Sequence, residues 1–277
     1  MRLKLASSYG FCFGVKRAIK IAEGYKNSST MGPLIHNKNE IDRLQNDYNV
    51  GLYRELEEVK KNDTVIIRTH GIPKQELRDL KLKDAKIINA TCPFVTTPQQ
   101  IVKQMSEKNY SIIIFGDEEH PEVKGVKSYG KDQDDVHVIL TPEDLENIKF
   151  KYDKIATVAQ TTRKKEVYLE IVNTLILKNK EVRVFNTICD ATFENQDAAR
   201  ALSKEVDIMI VIGGKDSSNT KQLQSICIEN CKNSYLIENS TELQSTWFKN
   251  KNLCGITAGA STPDWIIQEV VNKVNKY

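Results

Sequence analysis

Three of the six cysteines, Cys12, Cys92 and Cys189, sit where a short apolar run gives way to a helical pattern, and they are spaced 80 and 97 residues apart. That spacing is one thiolate from each of three similar lobes. Paired CxxC knuckles build a structural zinc site from a single local segment, whereas distant single ligands meet only where lobes converge. A central metal cluster suits such a trio. A four-iron cluster normally takes four cysteines, so three would leave one iron open to a substrate. An incomplete protein ligand set is what makes a bound metal catalytic. The same trio also fits a zinc-dependent hydrolase or a non-catalytic iron-sulfur redox sensor.

The remaining cysteines read differently. Cys227 and Cys231 lie four apart on a predicted helix beside Leu223 and Ile226, as small core residues do, and Cys254 lies inside the strand-like run LCGITAG.

Three of the four histidines occupy strand-to-loop junctions: His36 in LIHN, His70 in RTHG and His120 in EEHPEV. Their parallel placement beside turn residues marks them as candidate ligand binders, while His137, inside the alternating VHVIL, reads as a strand residue. GGKDSSNT follows the strand DIMIVIG and opens a helix, so Ser217, Ser218 and Asn219 present amides and hydroxyls at a helix N-terminus, an anion site. This segment lacks the ordered GK[ST] of a P-loop, so nucleotide binding is not supported. A second such terminus is TAGASTPDW, where Thr262 is the expected cap, Pro263 the first helical residue, and Ser261 faces the same ligand. Together these groups form a phosphate-binding set poor in arginine. Hydrogen bonds to a charged group contribute about 1.5 to 3 kcal/mol each, and micromolar binding requires about 8 kcal/mol. About five or six contacts therefore suffice after ordering costs.

Glu122 comes two residues after His120, and a partly buried carboxyl there can hold its proton near neutral pH and act as a proton donor. Thr161 and Thr162 close the strand of VAQTT and are candidates to relay that proton.

Positioning these groups is the task of the intervening elements. Strand-like runs recur at RLKLAS, TVIIRT, KIINA, SIIIFG, KIATVAQ, VRVFNTI, DIMIVIG and LCGITAG, separated mostly by helical patterns. This alternation predicts an α/β fold of mainly parallel sheets with covering helices. After Cys12, Val15, Ala18, Ile19 and Ala22 keep helical spacing up to Gly24. After Cys92, Thr97 is the expected cap of a helix starting at Pro98, with Ile101, Val102 and Met105 facing inward. After Cys189, Ala198, Ala199 and Leu202 form the inward face. Each cysteine thus stands between the carboxyl end of a strand and a helix, where amide donors and the helix dipole favour a thiolate. Polar, acidic residues from 130 to 154 predict a solvated loop with a short helix. Spacing places lobe boundaries near residues 95 and 185, giving lobes 1–94, 95–185 and 186–277, with residues 1–13 able to pack with the third.

Composition narrows the function classes. The 277 residues are 40% hydrophobic, enough for more than one core, and 40 basic residues against 37 acidic ones give a net charge of +3 with no arginine-rich stripe. Nucleic acid is not an expected partner. No apolar run approaches a membrane span, and RLKLA begins without a signal segment, so a cytoplasmic protein with reduced thiols is expected.

The motifs GFCFGVKRAI, LIHN, RTHG, NATCP, HPEVKG, QTT, NTICDAT, SSN and AGASTPDW stand in an order that resembles the 4-hydroxy-3-methylbut-2-enyl diphosphate reductases, iron-sulfur enzymes of the last step of the non-mevalonate isoprenoid route. The resemblance spans nearly the whole chain. It implies three α/β lobes arranged as a cloverleaf around a central 4Fe-4S cluster, with no bound flavin or NAD(P). Cys12, Cys92 and Cys189 match the cluster ligands, leaving one open iron. His36, His70, His120, Ser217, Ser218, Asn219 and Ser261 match the diphosphate binders, Glu122 the proton-relay acid, and Thr161 the threonine beside it. The implied reaction removes the hydroxyl of an allylic diphosphate with two electrons and two protons, giving isopentenyl and dimethylallyl diphosphate. Its electrons would come from an external ferredoxin or flavodoxin.

Overall fold

The computed structural model describes all 277 residues. It contains three four-stranded sheets, and every strand pair in them is parallel. The chain divides into two compact units, one of Met1–Lys16, Ile35–Arg43 and Asp190–Tyr277, the other of Arg17–Leu34 and Leu44–Cys189.

The first unit is built on a sheet of β1 (Arg2–Leu5), β12 (Leu253–Ala258), β10 (Ile208–Ile212) and β11 (Ser234–Ile237), in that spatial order. A sheet covered on both faces needs strands that are apolar throughout, and IMIVI of β10 is fully buried. Ile208, Ile210 and Ile212 pack in one core with Ile266, Ile267 and Val270 of α9 (Asp264–Val274). Met209 and Val211 pack in another with Ala199 and Leu202 of α7 (Asp190–Ser203) and Leu223 and Cys227 of α8 (Ser218–Asn230). Side chains alternate between faces along a strand, so one pentapeptide serves both cores.

The second unit holds the other two sheets. One orders β3 (Gly51–Tyr53), β2 (Ser29–Met31), β4 (Thr64–Ile67) and β5 (Lys86–Asn89). Its core joins Val65 and Ile67 to Leu80 of α3 (Lys74–Leu82). The other orders β7 (Val136–Ile139), β6 (Ser111–Phe115), β8 (Lys154–Ala159) and β9 (Glu181–Val184). Its core brings Ile112, Ile114 and Val158 against Val102 and Met105 of α4 (Pro93–Glu107) and Val123 and Val126 of α5 (Pro121–Lys127).

Two helix starts differ from the sequence expectation. Helix α4 begins at Pro93 with Cys92 as its cap, five residues before the expected Pro98, which lies inside the helix. Both prolines suit a first helical turn. Cys92 decides between them, because its extended backbone (φ −63°, ψ 134°) carries the strand ladder on through its N–H to the Thr69 carbonyl, at 3.0 Å. The hydroxyls of Thr96 and Thr97 then donate to the Pro93 carbonyl, at 2.8 and 3.1 Å. At α9 the cap is Pro263, and Thr262 instead donates its hydroxyl to the Ile212 carbonyl at 3.0 Å. No helix is long and apolar enough to cross a membrane.

Candidate functional site

The strand order of the three sheets assigns the candidate residues to equivalent places. In each sheet one edge strand leads into a cysteine: β1 into Cys12, β5 into Cys92, β9 into Cys189. The strand beside that edge leads into Ser261, His70 or Thr161. The next leads into Ser217–Asn219, His36, or His120 with Glu122. The opposite edge carries no candidate. All of these groups stand at carboxyl ends of parallel strands, where open α/β sheets bind ligands.

One backbone hydrogen bond recurs in all three. Each cysteine N–H donates to the loop after the neighbouring strand: Cys12 to the Ala260 carbonyl at 3.2 Å, Cys92 to Thr69 at 3.0 Å, and Cys189 to Thr161 at 3.0 Å. Ala260 precedes Ser261 and Thr69 precedes His70, so each thiol-bearing turn is fastened next to a candidate polar group. Each cysteine also directly precedes the first residue of a helix, Phe13 of α1 (Phe13–Gly24), Pro93 or Asp190. A helix N-terminus stabilises a thiolate through its dipole and unpaired amides.

These three side chains are partly exposed, the other three cysteines are buried, and none of the six is in a disulfide. Burial pushes the thiols of Cys227 and Cys254 up to about 12, with the Cys231 sulfur adding to the effect, so neither supplies a thiolate at neutral pH. Cys12, Cys92 and Cys189 are each a partly exposed thiol at a helix start, the kind of donor that suits iron-sulfur ligation.

Glu122 is 1% exposed. Its Oε1 accepts the Thr161 backbone N–H and its Oε2 the Thr161 hydroxyl, both at 2.7 Å. Desolvation raises its pKa from the ordinary 4.5, outweighing the Thr161 hydrogen bonds and the Arg163 charge, which lower it. The result is a carboxyl that keeps its proton at higher pH than a surface glutamate. Of the two candidate threonines, Thr161 makes these bonds, while the Thr162 hydroxyl accepts from Gln160 at 3.4 Å.

His120 caps α5, its Nδ1 accepting the Glu122 N–H at 3.2 Å. An accepting Nδ1 leaves the proton of the neutral ring on Nε2. The rings of His120 and His70 meet edge to face, with centroids 5.4 Å apart. In the first unit Ser217 caps α8 and Ser218 is its first residue. The Ser261 hydroxyl lies 3.3 Å from the His36 carbonyl. Asn219 is 4% exposed, yet neither its Nδ2 nor its Oδ1 has a partner within the protein. Burying an amide unpaired is costly, which makes Asn219 a candidate for a ligand contact.

Sequence reading passed over two supports. Gln160 accepts the Asp117 N–H and the Arg163 Nε–H at 3.0 and 3.1 Å, tying the loops after β6 and β8 together beside Glu122. The Thr187 hydroxyl donates to the Ala159 carbonyl and accepts the Ala159 N–H, at 2.6 and 2.8 Å, fixing the approach to Cys189. Their only signal was a polar residue at a strand end beside a candidate.

The family model described as LytB protein matches residues 3–275. The chain is 64% identical over 276 residues to the 4-hydroxy-3-methylbut-2-enyl diphosphate reductase of a Nitratiruptor species, covering 100% of this chain and 99% of the relative. A solved structure of (E)-4-hydroxy-3-methyl-but-2-enyl diphosphate reductase, described as the terminal enzyme of the non-mevalonate pathway, is 41% identical with a TM-score of 0.72 and full coverage of both chains. The E-1-hydroxy-2-methyl-but-2-enyl-4-diphosphate reductase structure from Plasmodium falciparum superposes with a TM-score of 0.91 at 29% identity, covering 98% of this chain and 87% of that one.

Proposed function

The chain belongs to the LytB protein family, and on that premise we infer that it is an oxidoreductase that reductively removes the hydroxyl of (E)-4-hydroxy-3-methylbut-2-enyl diphosphate. The products are isopentenyl and dimethylallyl diphosphate, formed with two electrons, two protons and loss of water. The family implies an iron-sulfur cluster. We assign it as a 4Fe-4S cluster on Cys12, Cys92 and Cys189. When bound, such a cluster supplies electrons and, at its iron without a cysteine, a Lewis acid for the substrate's oxygen.

The rest of the chemistry belongs to the chain's own side chains. His36, His70, His120, Ser217, Ser218, Asn219 and Ser261 bind the diphosphate, mostly as neutral donors. A diphosphate held this way is oriented without arginine or lysine, and the departing hydroxide still needs a proton. Glu122 holds that proton. With Oε2 protonated, its bond to Thr161 runs from Glu122 to the threonine oxygen, and the Thr161 hydroxyl hydrogen is released to point at the substrate. Thr161 thus passes on a proton while its backbone N–H keeps Oε1 in place. The carrying observation is a fully buried carboxyl gripped at both oxygens by one threonine.

Electrons arrive from an external carrier of ferredoxin or flavodoxin type, in a cytoplasm that keeps the three thiols reduced. Lobe bounds of 1–94, 95–185 and 186–277, with residues 1–13 joining the third, complete the assignment. The relatives described above are named as this reductase, which leaves the zinc-hydrolase and redox-sensor alternatives without support.

Anaerobic turnover of the hydroxylated diphosphate with dithionite-reduced methyl viologen tests the reading. Both isomeric products are expected, and formation of neither would overturn it.

A further inference from the structure

We propose that Glu40 is a positioning residue for the diphosphate site, holding the turn that carries His36 against helix α9 through Trp265. The proposal rests on the reductase reading and adds to it the group that keeps one of its diphosphate binders in place.

Ile35–Arg43 is a short stretch, yet it belongs to the first compact unit while the chain on either side of it belongs to the second. A few residues must therefore join it to Asp190–Tyr277. Helix α2 (Lys38–Tyr48) begins just after His36 and Asn37. The Asn37 side-chain oxygen accepts the Glu40 N–H at 3.1 Å, and the Asn37 carbonyl accepts the Ile41 N–H at 3.1 Å. The residue next to His36 is thus tied to the first helical turn, as a capping asparagine is.

Two bonds cross from this stretch to the start of α9. The Ser261 hydroxyl donates to the His36 carbonyl at 3.3 Å, and four residues on in each segment the Trp265 Nε1–H donates to Oε2 of Glu40 at 3.0 Å. The first of these joins two proposed diphosphate binders. Gly214 approaches the same carbonyl so closely that a Cβ there would stand 2.3 Å from the His36 oxygen, so any side chain would push the turn away. One bond would act as a pivot, whereas two separate bonds fix both the position and the direction of the stretch.

Glu40 is 1% exposed, and a carboxylate buried this far needs partners. Arg43 supplies three bonds, from Nε to the two oxygens at 3.1 and 3.0 Å and from Nη2 to Oε1 at 2.6 Å. That pair closes within α2 and compensates the charge without α9. A glutamate three residues beyond a capping residue commonly folds back onto that residue's N–H. Glu40 instead reaches outward to the indole, a donor with a single N–H, and so links segments 225 residues apart. The charge is held by Arg43, and the remaining reach of the carboxylate places His36.

The test is a double-mutant cycle on the iron-loaded enzyme. Calorimetry measures binding of inorganic pyrophosphate to wild type, Trp265→Phe, His36→Ala and the double variant, and dye-driven turnover gives KM and kcat for the same four proteins. Trp265→Phe keeps a ring and the Glu40–Arg43 pair but removes the donor; it is expected to raise the pyrophosphate Kd and the substrate KM about fivefold, with kcat within about twofold of wild type. His36→Ala should raise both by about tenfold or more, as for loss of a bond to a charged group. In the double variant the tryptophan change adds nothing further, because it acts only through His36. A merely structural role would multiply the two effects. Glu40→Ala should weaken pyrophosphate binding at least as much as Trp265→Phe; if it fails to fold, the cycle decides alone. An unchanged Kd in Trp265→Phe, full multiplication in the double variant, or a wild type that does not bind pyrophosphate would each overturn the proposal. Absence of dye-driven turnover in wild type would instead sink the reductase reading, while the pyrophosphate cycle still decides the role of Glu40.

Discussion

The backbone N–H of Cys189 donates to the carbonyl of Thr161 at 3.0 Å, and the same threonine grips both oxygens of Glu122 through its N–H and hydroxyl. A proposed metal ligand and a proposed acid are thus both bonded to one residue, through its carbonyl, N–H and hydroxyl. Both are thereby tied to the loop that follows β8.

Glu122→Gln should abolish turnover, by at least about a hundredfold if it supplies the proton as a general acid, while substrate still binds. Steady-state rates with isothermal binding of the diphosphate check this. Normal turnover would remove Glu122 from the mechanism.

The same substitution has a stability signature. Burial raises the folded-state pKa of Glu122 above its ordinary 4.5, so between those two values the folded protein binds more protons than the unfolded chain. Stability from this group therefore falls as pH rises above 4.5, until the folded-state pKa is passed. In Glu122→Gln that loss is absent, and the Tm of the variant relative to wild type should climb as pH rises above 4.5. A difference independent of pH would contradict a raised pKa.

Thr161→Val removes the hydroxyl but keeps the backbone bonds to Glu122 and Cys189. Its kcat should drop by about tenfold or more, as expected for an interrupted proton path, with iron content unchanged and activity restored in Thr161→Ser. Comparable kcat values for the Val and Ser variants would exclude the relay.

Asn219→Ala tests the unpartnered buried amide. Loss of a hydrogen bond to a charged diphosphate, about 1.5 to 3 kcal/mol, predicts a rise in KM of at least about tenfold, with a smaller change in kcat if the contact is the same in ground and transition states. An unchanged KM would mean that the amide faces something other than substrate.

Much of the fold is legible in the sequence because SIIIF and IMIVI are buried on both faces, and a strand in that setting must be apolar throughout. The three-residue strands STM and GLY escape notice, being too short to show a period. The start of α4 is misjudged because two prolines five residues apart both suit a helical first turn, and a long-range bond from Cys92 to Thr69 chooses between them. The candidate residues are recognisable one by one as polar groups at strand ends. Their common arrangement, with each cysteine after an edge strand and its N–H fastened to the neighbouring loop, is invisible locally, because strand order is set by crossovers tens of residues long.

The most direct test of the central claim is the iron content and visible absorbance of six anaerobically purified variants, each with one cysteine changed to serine. The account predicts that Cys12→Ser, Cys92→Ser and Cys189→Ser lose iron and colour, while variants at Cys227, Cys231 and Cys254 keep both. Full iron in any of the first three, or its loss in a folded variant of the last three, would contradict the account.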